Sequence, residues 1–525
     1  MKLLSIACII LALGACSKAP EGGAGSARAA SEIAWVSPTA GSDVDAVFAD
    51  AKARNQPVFL FWTAAWCPPC NQVKSTIFTR RDFIDKSRSF IPVYVDGDTP
   101  SGQSLGKRLN VSAYPTMVLL RHDGTEVTRL AGSVDPAKYM QLLQHGLAGG
   151  TSARQALDAA LAGKPLAPED WRLLAYHSWS TDDYQLVAEK DAPALLMKLA
   201  TACPAEQRES ASRLVLQALA ATANAKKGAK KPAVDKAEAI ASVKSMLARP
   251  ELVREHADLF SYAAGDIVGY LTTAGSGERS ELVAAWSAAL DRLVADRSLS
   301  NANRVWAVSG KVALARLDNK DGALPESLLA EVREQAARAD RETTDINERQ
   351  SVITAAGAML ARAGLLDESD ALLTAELKRS HSPYYYMLAL ASNAKKRGTP
   401  AGNAAAIDWA RQAYESAKGP ATRLQWGGSY VNYLLELAPQ DSAQIEKATA
   451  SVIGELEPRP GTFSGRSQIA LERLSGRIVK WNKDGSHDAV LKRLNAKLVP
   501  TCAAAAPDRA DRRACEALFT PAKHA

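Results

Sequence analysis

The sequence predicts a molecule of two parts, an α/β sandwich followed by a large all-helical region. The sandwich is predicted because apolar runs without the alternation of half-exposed strands alternate with segments of helical spacing up to about residue 150. The helical region is predicted because strand signals stop at Thr151, where Ala/Leu-rich segments of helical spacing take over. We therefore assign 32–150 to the α/β domain and 151–525 to the helical region, with an exposed loop near 224–236.

Composition narrows the class of protein. The chain has 525 residues, of which 47% are hydrophobic and 23% charged, which is ordinary globular usage with enough apolar material for several cores. Lys and Arg total 64 against 57 Asp and Glu, a net charge of +7. This modest excess differs from the dense basic face of a nucleic-acid-binding protein, so we expect no nucleic-acid partner.

Residues 1–15 have the pattern of an export signal. A positive start, the apolar run LLSIACIILAL and the small-residue site LGAC follow one another. The LGAC site resembles the lipobox of bacterial lipoproteins, which implies that Cys16 is acylated and becomes the first residue. A retained transmembrane helix and cleavage without lipid are the alternatives, although the apolar run is too short to span a bilayer.

Residues 16–31 predict an acylated cysteine and a flexible Gly/Ala/Ser tether. Several acyl chains would hold the protein on a membrane almost permanently. In lipoproteins of Gram-negative bacteria a serine after the cysteine, here Ser17, usually implies the outer membrane. We expect a location on the periplasmic face of that membrane, an oxidising compartment in which disulfides persist.

Each element of the α/β domain follows from a local pattern. Capped segments of helical spacing predict helices, continuous apolar runs predict buried strands, and Asp123-Gly124 predicts a hairpin turn. In order, the predicted elements are a helix at 42–56, a strand at 57–64, a helix after Cys70, a strand at 90–98, a helix at 101–111, a hairpin at 114–132 and a helix at 135–147.

Cys67 and Cys70 lie where a buried strand turns into a helix. A helix N-terminus stabilises a thiolate, so Cys67 is the predicted nucleophile and Cys70, one turn later, the resolving thiol. Pro68 and Pro69 fit the first helical turn, which has no partner for their missing N–H groups. Half of a zinc site and an inert structural bridge are the alternatives, but a second cysteine pair is missing and the histidines are scattered.

The motifs WCPPC (66–70), YPT (114–116) and HDG (122–124) make residues 31–150 resemble the thioredoxin superfamily. The domain is most similar to short periplasmic thioredoxin-like domains. The resemblance implies thiol-disulfide oxidoreductase activity without a cofactor. It also implies that Trp66 supports the active site and that Pro115 is a cis proline facing the cysteine pair.

Two positions depart from the thioredoxin pattern. Phe61 stands where the family keeps a buried aspartate that helps deprotonate the resolving cysteine, and Pro92 falls near the place of its partner lysine. Proton transfer from Cys70 must then use water or another group. This puts a fast general reductase in doubt and favours a dedicated periplasmic partner, an oxidase or an isomerase.

The helical region resembles tetratricopeptide repeats in part. Gly364 and Gly398 each separate two helical segments and stand 34 residues apart, the period of that repeat, and Ala371, Ala410 and Ala413 are expected where helices cross. Stacks of this kind usually hold a protein or peptide. The alternative is that the region only packs and spaces.

The remaining cysteines suggest a second bridge. Cys502 and Cys515 lie in the C-terminal tail on either side of a helix-breaking proline, and in an oxidising compartment we expect them to pair. Cys203 is then left without a partner.

The function predicted from the sequence is that of a membrane-anchored periplasmic thiol-disulfide oxidoreductase. It would exchange disulfides with client proteins through Cys67 and Cys70, in the reductase or isomerase direction, with an unidentified periplasmic electron donor or acceptor. The alternative is an assembly or scaffold lipoprotein in which the helical region binds a protein partner and the α/β domain is accessory.

Overall fold

The computed structural model describes residues 32–38, 41–111, 113–130, 135–179, 185–506 and 508–520. The predicted export signal, the acylated Cys16 and the tether at 16–31 lie outside these residues.

The first part of the chain alternates helices with strands, as predicted. Its elements are α1 (Gly41–Arg54), β1 (Val58–Thr63), α2 (Pro68–Thr76), α3 (Arg81–Lys86), β2 (Ile91–Asp96), α4 (Pro100–Arg108), β3 (Thr116–Leu120), β4 (Glu126–Leu130) and α5 (Pro136–Leu147).

The four strands form one sheet in the order β2-β1-β3-β4. Strand β1 pairs parallel to β2 and antiparallel to β3, and β3 pairs antiparallel to β4. Strand β1 therefore lies inside the sheet with both edges hydrogen-bonded. The cysteine motif therefore follows one of the two interior strands of the sheet.

The side chains of β1 divide between two cores because successive residues of a strand point to opposite faces. Leu60 and Trp62 belong to the core that includes α1, whereas Phe59 and Phe61 belong to the core that includes α2 and α5. All are buried, which explains the absence of alternation in the sequence of this strand. The domain is thus a sandwich of helices around a sheet, and the predicted fold class is confirmed.

The rest of the described chain is helical. Its helices are α6 (Ala153–Leu161), α7 (Pro168–Tyr176), α8 (Ala192–Ala202), α9 (Arg208–Ala223), α10 (Lys236–Leu247), α11 (Pro250–Glu255), α12 (Ala257–Tyr262), α13 (Ala264–Leu271), α14 (Gly277–Ala295), α15 (Asn301–Ala315), α16 (Glu326–Glu342), α17 (Ile346–Ala363), α18 (Leu366–Glu376), α19 (Pro383–Lys396), α20 (Pro400–Ser416), α21 (Pro420–Leu437), α22 (Ser442–Ile453), α23 (Gly465–Trp481), α24 (Asp488–Ala505) and α25 (Arg509–Glu516). The segment near 224–236 forms the connection between α9 and α10.

The two turn glycines lie where the repeat pattern expects them. Gly364 ends α17 at φ 93° and Gly398 lies between α19 and α20 at φ 66°, a left-handed conformation that favours glycine. One small-residue prediction is wrong: Ala371 is exposed on α18, so it does not mark a helix crossing. The close approach to α18 occurs at Gly357 instead, where an added Cβ would lie 2.7 Å from the side chain of Leu373.

The helical region packs against the α/β domain along much of its length. Helix α17 lies against α2, α23 against α4, and α7 against α5. Ion pairs add to these contacts: Lys138 of α5 lies 2.6 Å from Glu209 of α9, and Lys107 of α4 lies 2.6 Å from Asp511 of α25. One apolar core contains residues of both parts, so the hydrophobic core continues across residue 150.

Candidate functional site

The cysteine pair lies at the start of α2, directly after the central strand. Cys67 is the N-cap of this helix and forms a disulfide with Cys70, with 5.3 Å between the two Cα atoms. Pro68 and Pro69 occupy the first helical positions, where Pro68 is buried and Pro69 exposed. The sequence favours this geometry because proline is compatible with the first turn of a helix, where its missing N–H has no intrahelical partner.

The sulfur of Cys67 already receives a hydrogen bond from the helix N-terminus. The backbone N–H of Cys70 donates to Cys67 Sγ at 3.2 Å. Free N–H groups and the positive end of the helix dipole at this position favour an anion, so the same donor would stabilise a thiolate after reduction. The arrangement is chemically suited to thiol-disulfide exchange.

The loop before β3 supplies the neighbouring surface. The Tyr114–Pro115 peptide bond is cis. The ring of Tyr114 packs edge-on against Trp66 with 5.7 Å between centroids, and it also contacts Trp62 at 4.4 Å. The loop that contains Tyr114 and Pro115 therefore packs against Trp66, the residue before Cys67, through an aromatic contact.

The position of Phe61 is filled by aromatic packing. Phe61 is fully buried and meets Phe78 and Tyr94 edge-on at 4.9 and 5.7 Å. Lys74, one turn after Cys70 on α2, donates to Tyr94 Oη at 3.3 Å, and burial lowers the pKa of its ammonium group. The core beside α2 thus replaces an acidic side chain with an aromatic cluster and a partly buried amine.

Trp66 is held by the helical region on several sides. Its indole Nε1 donates to Thr422 Oγ1 at 2.6 Å, and its carbonyl oxygen accepts from Gln350 Nε2 at 3.1 Å. Its ring stacks on Tyr385, with 5.7 Å between centroids and 19° between planes, and meets Trp426 edge-on at 4.8 Å. The residue that precedes the nucleophile is therefore fixed by side chains from α17, α19 and α21.

Two further residues complete this contact. The Nε2 of His381 donates to the carbonyl oxygen of Ala65 at 3.1 Å. The guanidinium of Arg466 lies 5.8 Å from the ring centroid of Trp66 and 4.5 Å from that of Tyr114. We refer to the helical-region residues that contact this site as the cover, which consists of Gln350, His381, Tyr385, Thr422, Trp426 and Arg466.

Asp98, just after β2, joins the α/β domain to the cover. Its Oδ1 accepts from the backbone N–H of Thr422 at 2.6 Å, at the N-terminus of α21, where a carboxylate is favoured. Burial outweighs this hydrogen bond and raises the pKa of Asp98 to about 7. Gln103 of α4 adds a neutral contact, since its Oε1 accepts from the backbone N–H of Arg466 at 2.5 Å.

Both cysteines and the neighbouring Trp66 are buried. The exposed fraction is 1% for Cys67, 0% for Cys70 and 9% for Trp66. Cys67, the predicted nucleophile, is therefore almost as buried as the resolving Cys70 in this disulfide-bonded state. Side chains more than 280 residues away along the chain contact the motif.

Sequence reasoning missed all six residues of the cover. Gln350, Thr422 and Arg466 are polar residues on helices, a pattern that ordinarily indicates a solvated face. One signal was available, because the run PYYYM at 383–387 and the WGG at 426–428 carry more aromatic surface than an exposed helix needs. This excess indicates a contact without naming the partner.

The other predicted cysteines lie far from this site along the chain. Cys502 and Cys515 form a disulfide between α24 and α25, and Cys203 is buried with a free thiol. Burial raises the pKa of Cys203 to about 11. Cys16 lies outside the described residues.

A cavity of about 950 Å³ lies beside α2 but does not include the cysteine pair. Its apolar wall includes Trp179, Leu196 and Trp306, and Gln72 of α2 contributes to its rim. Within the described ranges there is no cluster of three metal-ligating side chains, and no described helix has the length and apolarity needed to cross a membrane.

The comparisons with known proteins concern the first part of the chain. Residues 44–147 match the family described as a thioredoxin-like domain. Over 105 residues the chain is 29% identical to the TPR repeat-containing thioredoxin TDX of Oryza sativa subsp. japonica, covering 20% of this chain and 31% of that protein. It is 29% identical over 97 residues to Thioredoxin H4 of Arabidopsis thaliana, covering 18% of this chain and 76% of that protein.

A bacterial protein gives a similar result. The chain is 25% identical over 103 residues to Thioredoxin of Mycolicibacterium smegmatis, which covers 20% of this chain and 89% of that protein. The match spans less than a third of the length of the Oryza protein but most of the two other relatives. These similarities therefore concern a single domain within this chain.

Proposed function

We propose, from the premise that residues 44–147 are a thioredoxin-like domain, that the protein is a thiol-disulfide oxidoreductase acting on client proteins through Cys67 and Cys70. The observation that carries the proposal is the hydrogen bond from the Cys70 N–H to Cys67 Sγ at the N-terminus of α2. It provides the stabilisation that a nucleophilic thiolate needs.

The exchange proceeds in two steps. The Cys67 thiolate attacks one sulfur of a client disulfide, so a bond forms between Cys67 and the client, and the other client sulfur leaves as a thiolate. Cys70 then attacks Cys67, closes the Cys67–Cys70 disulfide and releases the second client thiolate. The client gains two electrons, the pair loses two, and an external protein dithiol must reduce the pair before the next cycle.

The first 31 residues support a more specific proposal about the membrane anchor and the location of the protein. Their export signal, the lipobox ending in Cys16 and the tether favour an acylated protein on the periplasmic face of the outer membrane. In that compartment we propose the reductase or isomerase direction, and the aromatic residue Phe61 favours a dedicated partner over a fast general reductase. Cys16→Ala should abolish lipid labelling, whereas unchanged membrane retention in that variant would contradict the lipid anchor.

Trapping of the mixed disulfide tests the proposed activity. Cys70→Ala in the full chain should accumulate clients on Cys67, visible as high-mass bands on a non-reducing gel that collapse with reductant, because the resolving thiol is gone. Cys67→Ala should give none, since the remaining thiol lacks the N-cap position. The matched control is Cys203→Ala, which removes a buried cysteine outside the motif. Without reducible adducts in Cys70→Ala, the oxidoreductase proposal fails.

A second candidate function is favoured by the burial of the pair. A chain whose cysteines are covered is consistent with an assembly or scaffold protein in which the helical region binds a partner and the thioredoxin-like domain serves as a rigid element. The presence of a TPR repeat-containing thioredoxin among the relatives fits protein binding. If Cys67→Ser leaves the phenotype of the wild-type chain unchanged, the scaffold function replaces the oxidoreductase.

A further inference from the structure

We propose that the cover is a built-in competitor of the client: it occupies the surface that a client needs, and a client segment carrying basic and aromatic side chains replaces its contacts. The proposal rests on the proposed function and specifies the regulation and client chemistry of the same site. The surface in question, which we call the client face, consists of Trp66, Cys67, Asp98 and Tyr114.

The first argument is steric. Exchange requires three sulfur atoms in line, so a client sulfur must approach Cys67 Sγ. Cys67 is 1% exposed and Trp66 is packed between Tyr385 and Trp426. A folded or extended client therefore cannot reach the sulfur until part of the cover moves away.

The second argument concerns the kind of contact that holds the cover in place. Two hydrogen bonds hold Trp66: its indole N–H donates to Thr422, and its carbonyl oxygen accepts from Gln350. The guanidinium of Arg466 adds a cation–π contact with its ring. Each contact of this type contributes modestly to stability because water competes for the same groups. An arrangement held by several such contacts can be displaced by a ligand that supplies equivalents.

The third argument identifies the ligand chemistry. On the client face, the carboxyl group of Asp98 interacts electrostatically with Tyr114. Asp98 and Trp66 both hydrogen-bond to Thr422. In the cover, the ring of Tyr385 stacks on Trp66 and the guanidinium of Arg466 lies over the ring of Tyr114. The charge of Arg466 also acts on Asp98. A competing client segment then needs an aromatic side chain and an arginine near its cystine, because guanidinium groups stack on aromatic faces and pair with carboxylates.

The cover is tested by single-turnover exchange. The full-length protein, with Cys67 and Cys70 reduced beforehand, is mixed with a fluorogenic peptide disulfide and the rate of peptide release is measured. Thr422→Val removes the acceptor of the Trp66 indole, and Arg466→Met removes the cation above both rings. Each variant should react about tenfold faster than the wild type, because loss of one buried polar contact shifts the closed population by roughly that factor.

A matched variant separates opening from general destabilisation. Arg411→Met changes an exposed arginine of α20 that pairs with Asp408 and Glu415 on its own helix, so it should leave the rate unchanged. Equal rates in the wild type, Thr422→Val and Arg466→Met would overturn the cover while leaving the oxidoreductase function intact. Equal acceleration by Arg411→Met would also overturn it. If none of the chains reacts although the pair is reduced, the proposed function itself fails.

The client chemistry is tested with two peptides of equal length. One carries arginine and tyrosine beside the disulfide, and the other carries glutamate and alanine. The wild-type chain should react about tenfold faster with the first peptide, and Asp98→Asn should reduce this preference, because the carboxylate that attracts arginine is gone. Equal rates for the two peptides would overturn the assignment of basic, aromatic clients.

Discussion

Two disulfides in this protein are equally buried but differ in their surroundings. Cys67 and Cys70 are three positions apart at the N-terminus of α2, whereas Cys502 and Cys515 are thirteen positions apart and join α24 to α25. The sulfur of Cys67 accepts a backbone N–H, while the polar contact of Cys502 Sγ is with the carbonyl oxygen of Leu498 at 3.7 Å. One environment favours a thiolate and the other does not.

The difference teaches that burial does not decide the role of a cysteine pair. All four sulfur-bearing residues are 0–1% exposed. What separates the pairs is the electrostatic environment of the sulfur and whether the covering side chains are polar contacts that can be replaced. All four cysteines belong to one apolar core, so it is the carbonyl contact at the sulfur of Cys502, where Cys67 has an N–H donor, and not the enclosure that predicts a structural role for the pair at 502 and 515.

The largest effect expected from this comparison is on turnover. Cys67→Ser should lower the rate of client reduction by roughly three orders of magnitude or more, because a serine hydroxyl is not a nucleophile toward disulfides. The double change Cys502→Ser with Cys515→Ser should leave turnover near the wild-type rate at 25 °C. The measurement is the single-turnover peptide assay, and a similar loss in both variants would contradict the division of roles.

The second effect is on stability and should appear in the other pair. Cys502→Ala with Cys515→Ala should lower the free energy of unfolding by about 3 kcal/mol, because the unfolded chain is then no longer constrained by a closed loop of about 14 residues. The midpoint of urea denaturation measures this change. The Cys67–Cys70 disulfide closes a much shorter loop, so Cys67→Ala with Cys70→Ala should lower the free energy of unfolding by less. A larger decrease in that variant would reverse the comparison.

The same contrast explains what the sequence could predict. The buried strand before Cys67, the two prolines at the helix start and the turn glycines Gly364 and Gly398 are local features, in which neighbouring residues dictate the conformation. The cover is not local: Gln350 meets a residue 284 positions earlier and Thr422 one 356 positions earlier. Periodicity contains no information about such pairs, so the helix that begins after Cys67 could be predicted while the residues that contact its motif could not.

The third effect is a pH dependence that should appear at the first pair. Burial raises the pKa of Asp98 to about 7, with the carboxylate of Asp96 acting in the same direction and Arg466 and the Thr422 N–H acting against it. The closed arrangement therefore binds a proton more tightly than the open one. Its extra stability is present below about pH 4, the pKa of an exposed aspartate, and is lost as the pH rises to about 7.

In the peptide assay, this loss of stability of the closed arrangement should appear as a faster exchange rate. The ratio of the wild-type exchange rate to that of Asp98→Asn should rise about tenfold or more between pH 5 and pH 8, since the ionisation of Cys67 is common to both chains and cancels. Asparagine keeps an oxygen that can accept from Thr422 and has no proton to lose. A ratio that stays constant over this range would show that Asp98 does not contribute to closure.

The smallest effect concerns the third buried cysteine, which tests burial by itself. Cys203 is the C-cap of α8, at the negative end of the helix, and burial raises the pKa of its thiol to about 11. At pH 8 only about one thiol in a thousand would then be ionised. In the folded protein with both disulfides intact, iodoacetamide should leave Cys203 unmodified over hours, as judged by the mass of the intact chain. Denaturant should restore its reaction, and Cys203→Ala should leave client turnover unchanged. Rapid labelling of Cys203 in the folded chain would mean that burial and a helix C-terminus do not silence a thiol here, and the contrast drawn between the two disulfides would lose its electrostatic basis.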